Sequence, residues 1–91
     1  MTTPRPLDEH GLAQLRRLRA LSAADAELTT DARAVLEHLA QPWGHTPSAE
    51  ELATLSRTPA ARMPATLAEL DAHGYLAELR AIAPHLADVR R

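Results

Sequence analysis

Five histidines, at positions 10, 38, 45, 73 and 85, are the side chains of this 91-residue chain whose chemistry first invites a function. Imidazole ligates transition metals and carries protons near neutral pH. The spacing supports neither role. No two histidines stand at H-x-x-x-H, no H-E-x-x-H is present, and Pro42 separates His38 from His45. They read as scattered surface residues, with no metal site expected. Cysteine is absent, which removes disulfides, thiolate metal sites and cysteine nucleophiles. With three glycines there is no phosphate-cradling loop, and no G-x-S-x-G is found. No acid–base pair stands out, so neither an enzyme nor a cofactor is expected.

Arginine is the remaining chemical group in quantity. There are ten arginines and no lysine, and asparagine and phenylalanine are also missing. Isoleucine and tyrosine occur once each. These rare types share A/T-rich codons, whereas alanine, arginine and proline use G/C-rich ones. A G/C-rich genome therefore accounts for the bias without any phosphate-binding adaptation. Net charge is −2, which is no nucleic-acid signature for the whole chain. Its distribution is uneven. Arg5, Arg16, Arg17 and Arg19 make one end basic and Arg80, Arg90 and Arg91 the other, around Asp25, Glu27, Asp31, Glu37, Glu50, Glu51, Glu69 and Asp71. Either a positive edge or ordinary solvated helix faces fits this arrangement.

The elements that must position these groups are helical. Hydrophobic residues make up 45% of the chain, mostly leucine and alanine, with Val35, Val89 and Ile82 the only β-branched aliphatics. That composition favours helices over sheets. Unbroken apolar runs reach three residues, so no membrane span is expected, and Met1–Arg5 does not have the form of a signal peptide. A cytoplasmic protein is the expectation.

Residues 1–6 read as a disordered tail. Residues 7–28 read as an N-terminal helix capped by Asp8, with Leu12, Leu15, Leu18 and Leu21 as a broad stripe for dimerisation or packing. Ser22 and Asp25 have the spacing of a second start. Thr29 or Thr30 caps a helix with inward Ala32, Val35, Leu36, Leu39 and Ala40, ended by Pro42 and Gly44. Trp43 reads as a plug on the core or as an exposed anchor. Ser48 and Glu51 form a capping box ahead of inward Leu52, Ala53 and Leu55. Thr58-Pro59 opens another helix with Met63, Leu67 and Leu70 inward and Gly74 as its left-handed cap. Pro64 falls inside that segment, so the helix either kinks there or begins there with Pro59–Met63 as a looser turn. Residues 75–90 fit two readings. Leu76, Leu79, Ile82, Leu86 and Val89 match a helical period, while two short strands around Ala83-Pro84-His85 would make a hairpin.

From Thr29 to Leu76 this order resembles a winged helix-turn-helix domain, most like the MarR-type bacterial regulators. The residues that carry the resemblance are Glu51-Leu52-Ala53, then Met63, Leu67 and Leu70, then Gly74-Tyr75-Leu76. The resemblance implies a mainly α fold, with residues 29–91 as the winged domain and 75–90 as its wing. It implies a small regulator of transcription that binds double-stranded DNA as a homodimer, through Arg57, Thr58, Arg62, Thr66 and Arg80. Leu12, Leu15, Leu18 and Leu21 resemble the family's dimerising helix. Arg57 stands where the family usually has glycine. Beyond Arg62 and Thr66 the presumed reading face offers alanines and Glu69. A winged helix that binds a protein partner instead of DNA is the competing expectation, and a purely structural helical oligomerisation module is a third, which would follow if residues 75–90 are helical.

Overall fold

The computed structural model describes residues 7–89; the expected tail at 1–6 and the arginines at 90 and 91 lie outside them. Asp8 opens the first helix, α1 (Glu9–Ala23), its carboxylate accepting the Gly11 N–H at 2.8 Å. Gly11 has a packing reason here: a Cβ would come within 3.1 Å of Leu7, which folds over this first turn. The buried residues of α1 are Gly11, Leu15, Leu18 and Ser22, a stripe at i, i+4, i+7 and i+11. A leucine every third residue drifts by about 60° per step, so Leu12 and Leu21 end about 180° apart. Both stand at the margins, while Leu15 and Leu18 lie in the core. The expected second start does not occur. Ser22 turns its hydroxyl back to the Arg19 carbonyl at 3.0 Å, and Asp25 accepts the Glu27 N–H in a tight turn instead.

The second helix, α2 (Thr30–Leu39), is the centre of the fold. Ala32, Val35, Leu36, Leu39 and the following Ala40 are fully buried, and α1 and the third and fourth helices all pack on this element. Thr29 caps it by accepting the Ala32 N–H. Glu69, far along the chain, grips the same end, accepting the Thr29 N–H at 2.7 Å and the Thr29 hydroxyl at 2.8 Å. Two arginines serve the framework. Arg19 donates to the Ala40 carbonyl, and Arg33 donates to the Asp25 carbonyl at 3.0 Å.

Helix α3 (Ala49–Ser56) begins with the complete Ser48–Glu51 capping box. Leu52 and Ala53 face inward, but Leu55 does not. The inner face is centred between Leu52 and Ala53, and Leu55 falls about 110° from that centre. One 3-10 turn, Ala60–Arg62, precedes α4 (Met63–Ala72), which carries Pro64 in its first turn. Proline costs little there, since its missing N–H has no intrahelical partner to lose. Of the two readings of Pro64, the late start is the one formed. Gly74, at φ 83°, takes the left-handed conformation expected of it.

The chain then enters α5 (Tyr75–Ile82) and a 3-10 turn, Pro84–Asp88. The wing hairpin is therefore corrected: the segment is helical, and no strand occurs among the described residues. Burial explains the choice. Leu76 and Leu79 both face the core, as a helix places residues three apart, whereas a strand would send them to opposite faces. The closing turn is tied to the loop before α3. Thr46 donates to the His85 carbonyl at 2.7 Å, and His85 Nε2 lies 2.8 Å from the Trp43 carbonyl. A carbonyl only accepts, so Nε2 carries the proton. Tyr75 links α5 to the turn after α1 by donating to Asp25 at 2.7 Å. That bond, with the Glu27 N–H, holds the Asp25 carboxyl below the ordinary carboxylate value. Desolvation, and then the carboxylate it bonds, push the Tyr75 hydroxyl up to about 12. No helix among the described residues is long and apolar enough to cross a membrane.

Candidate nucleic-acid interface

The turn between α3 and α4 holds three of the five residues that the sequence nominated for binding, Arg57, Thr58 and Arg62, and Thr66 follows in the first turn of α4. Arg57 is the pivot between the helices, in the left-handed region at φ 56°, the one non-glycine residue there among those described. Its N–H and that of Thr58 return to the Thr54 and Ala53 carbonyls, the pattern of a Schellman cap. A side chain in this conformation costs on the order of 1 kcal/mol, which glycine would avoid. The Arg57 side chain is exposed and makes no hydrogen bond or ion pair among the described residues.

Arg62 ends the 3-10 turn that leads into α4. Its Nε lies 2.9 Å from Asp31 Oδ2 and its second guanidine nitrogen 3.4 Å from Oδ1, so it is paired with the first turn of α2. The pair stays open to solvent, with the Arg62 side chain 60% accessible.

The two threonines are placed differently from expectation. Thr58 is 4% exposed and Thr66 5%. The Thr58 hydroxyl lies 3.0 Å from that of Ser56, which itself donates to the Leu52 carbonyl. Thr66 donates to the Arg62 carbonyl at 2.8 Å, one turn back. Both hydroxyls are satisfied inside the fold and reach no ligand. Thr66 falls on the side of α4 that carries Met63, Leu67 and Leu70 into the core, and Thr58 is drawn in by the corner that returns its N–H to the Ala53 carbonyl. Arg80 is exposed in the last turn of α5, on a helix rather than a wing. The exposed residues of α4 are Pro64, Ala65, Ala68, Asp71 and Ala72, so its outer face offers one carboxylate and otherwise no side-chain donor or acceptor.

What the turn can do chemically is therefore electrostatic. Two guanidinium groups flank the start of α4, and neither threonine adds base-reading capacity. The residues that sequence reasoning missed are Glu69 and Asp31. Glu69 looked like part of a reading face but clamps α2, and Asp31 stood among the acidic residues between the two basic ends but holds Arg62. Only contacts across more than thirty residues define either role, and no local pattern signals them. Among the described residues, no three His, Asp or Glu side chains gather as a metal site. No protein-family model matches the chain, and comparison with curated proteins and with solved structures finds no match to either.

Proposed function

We propose that this chain binds double-stranded DNA through a helix-turn-helix formed by α3 and α4, and regulates transcription as a homodimer without catalysing a reaction. The observation that carries the proposal is Arg57. It occupies a strained left-handed corner between two helices, where glycine would be cheaper, and its exposed guanidinium has no partner among the described residues. A cation presented at that corner suits a phosphate of the DNA backbone. Arg62 is the second contact, and Arg80 adds positive charge from α5. The bare face of α4 means that phosphates supply most of the affinity and bases little of the specificity. In the homodimer, the exposed Leu21 supplies apolar contact from α1, because Leu15 and Leu18 are consumed by the chain's own core and Leu12 stands on the opposite side of the helix.

The test is binding to mixed-sequence duplex across a salt series. The logarithm of affinity should fall linearly with the logarithm of salt, with a slope set by the few phosphates contacted. Absence of binding at low salt would sink the reading.

One observation favours a second reading. Buried Thr58 and Thr66, with the alanine face of α4, describe a surface better suited to a protein partner than to base edges. In that case duplex binding is absent, and Arg57→Ala leaves partner binding unchanged.

A further inference from the structure

Three large hydrophobic side chains stand exposed among the described residues: Leu12 at 37%, Leu21 at 53% and Leu55 at 46%. They lie on two surfaces of opposite charge. Leu55 forms one wall of a groove of about 480 Å³ that also includes Trp43, Ser48, Glu50, Glu51 and Thr54. The Trp43 indole is fixed in place. Its N–H donates to the His38 carbonyl at 2.9 Å, and the His45 ring meets it edge-on with centroids 5.4 Å apart. A pinned indole near an exposed leucine is a preformed slot that needs little ordering to be filled. The rim is acidic. Glu51 is engaged by its capping box and by His45 at 3.8 Å, but the Glu50 carboxylate has no partner among the described residues.

The other two leucines belong to α1, whose exposed face carries Arg16 and Arg17 between them. Neither arginine makes a hydrogen bond or ion pair among the described residues. Leu21 follows Arg17 by four residues, so the two side chains are neighbours on that face. Arg17 and Leu21 also wall a cleft of about 800 Å³ with Asp25, Tyr75 and Glu78. The outward side of α1, with Arg16, Arg17 and the half-exposed Leu21, and the acidic rim of the Trp43–Leu55 groove carry opposite charge, and one chain has both.

We propose that the Trp43–Leu55 groove receives α1 of a second copy of this chain, with Leu21 in the slot and the Arg17 guanidinium on the Glu50 carboxylate. This rests on the homodimer reading and names the surface it uses. About a two-fold axis the contact occurs twice, α1 of each copy seated in the groove of the other. An arginine–carboxylate pair at the rim sets the register, and the leucine supplies the buried apolar area.

Sedimentation velocity and tryptophan emission test this with the intact chain, at concentrations up to about 1 mM, the weak end of specific association. Trp43 is the sole tryptophan, so its emission should shift to the blue in step with dimer formation. Leu55→Ser and Leu21→Ser should each weaken association at least tenfold while the monomer, melted at concentrations below association, stays cooperatively folded, since each side chain is about half exposed. Glu50→Arg and Arg17→Glu should each be monomeric alone, and a mixture of the two should associate again. A dimer that persists in Leu55→Ser and Glu50→Arg removes this interface while leaving the homodimer standing. A mixture that fails to recover overturns the Arg17–Glu50 pairing. A single monomeric species of the parent chain at every concentration removes both readings.

Discussion

Arg62 and Asp31 form an ion pair, Nε to Oδ2 at 2.9 Å, that ties the turn entering α4 to the first turn of α2. The same carboxylate complements the positive end of the α2 dipole and occupies a cation nominated for phosphate. Its consequences for stability and for binding therefore have opposite sign.

Asp31→Asn should raise affinity for duplex DNA severalfold and steepen the salt dependence by about one ion, because Arg62 becomes free for phosphate. The stability cost should be small, about 0.5 kcal/mol, for an exposed pair at a helix start. In an Arg62→Ala background the gain should vanish. Equal affinities for Asp31→Asn and the parent chain would show that Arg62 makes no phosphate contact.

Arg57→Gly should do the reverse. Relief of the left-handed backbone should stabilise the fold by about 0.5–1 kcal/mol, read as a higher melting temperature. Duplex affinity should fall with the lost charge. Arg57→Ala should lose the affinity without gaining the stability, since alanine retains a Cβ at φ 56°. A lower melting temperature in the glycine variant would mean that the arginine side chain supports the turn.

Glu69→Ala removes both bonds to Thr29, which a local capping interaction cannot replace. A loss of about 1–2 kcal/mol is expected for charge-assisted bonds at a solvent-accessible helix end. In a domain of this size that lowers the melting temperature by several degrees. An unchanged transition would show that the clamp contributes nothing in solution.

Tyr75 and Asp25 give the pH prediction. Asp25 is held below the ordinary carboxylate value, so its contribution is present above that value and lost as pH falls through the lowered one. Tyr75 is raised from 10.0 to about 12, so its contribution is present below pH 10 and lost as pH rises toward 12. The chain has one tyrosine, so ultraviolet difference titration reads it directly. The midpoint should be near 12, and Asp25→Asn should bring it part of the way back, because desolvation remains. A midpoint near 10 in the parent chain would mean that Tyr75 is neither desolvated nor bonded to Asp25 in solution.

Much of the local architecture was legible from residue types. Asp8, Thr29 and Ser48 with Glu51 marked three helix starts, because a side-chain oxygen on an orphan N–H is a short-range interaction. Gly74 marked the end of α4 for an equally local reason. The inward faces of α2 and α4 followed from the 3.6-residue period. Leu55 misled for the same cause: period alone does not say where a helix's inner face is centred, and only the packed neighbours decide that.

By itself, the order of residues determined a mainly helical chain, its principal caps and the positions of its arginines. Tertiary packing decided the rest. It made residues 75–82 a helix, since only a helix turns Leu76 and Leu79 to one core. It buried Thr58 and Thr66, recruited Glu69 to α2 and set Asp31 on Arg62. Each of these outcomes depends on residues far apart in sequence meeting in space, and no spacing along the chain encodes such a meeting.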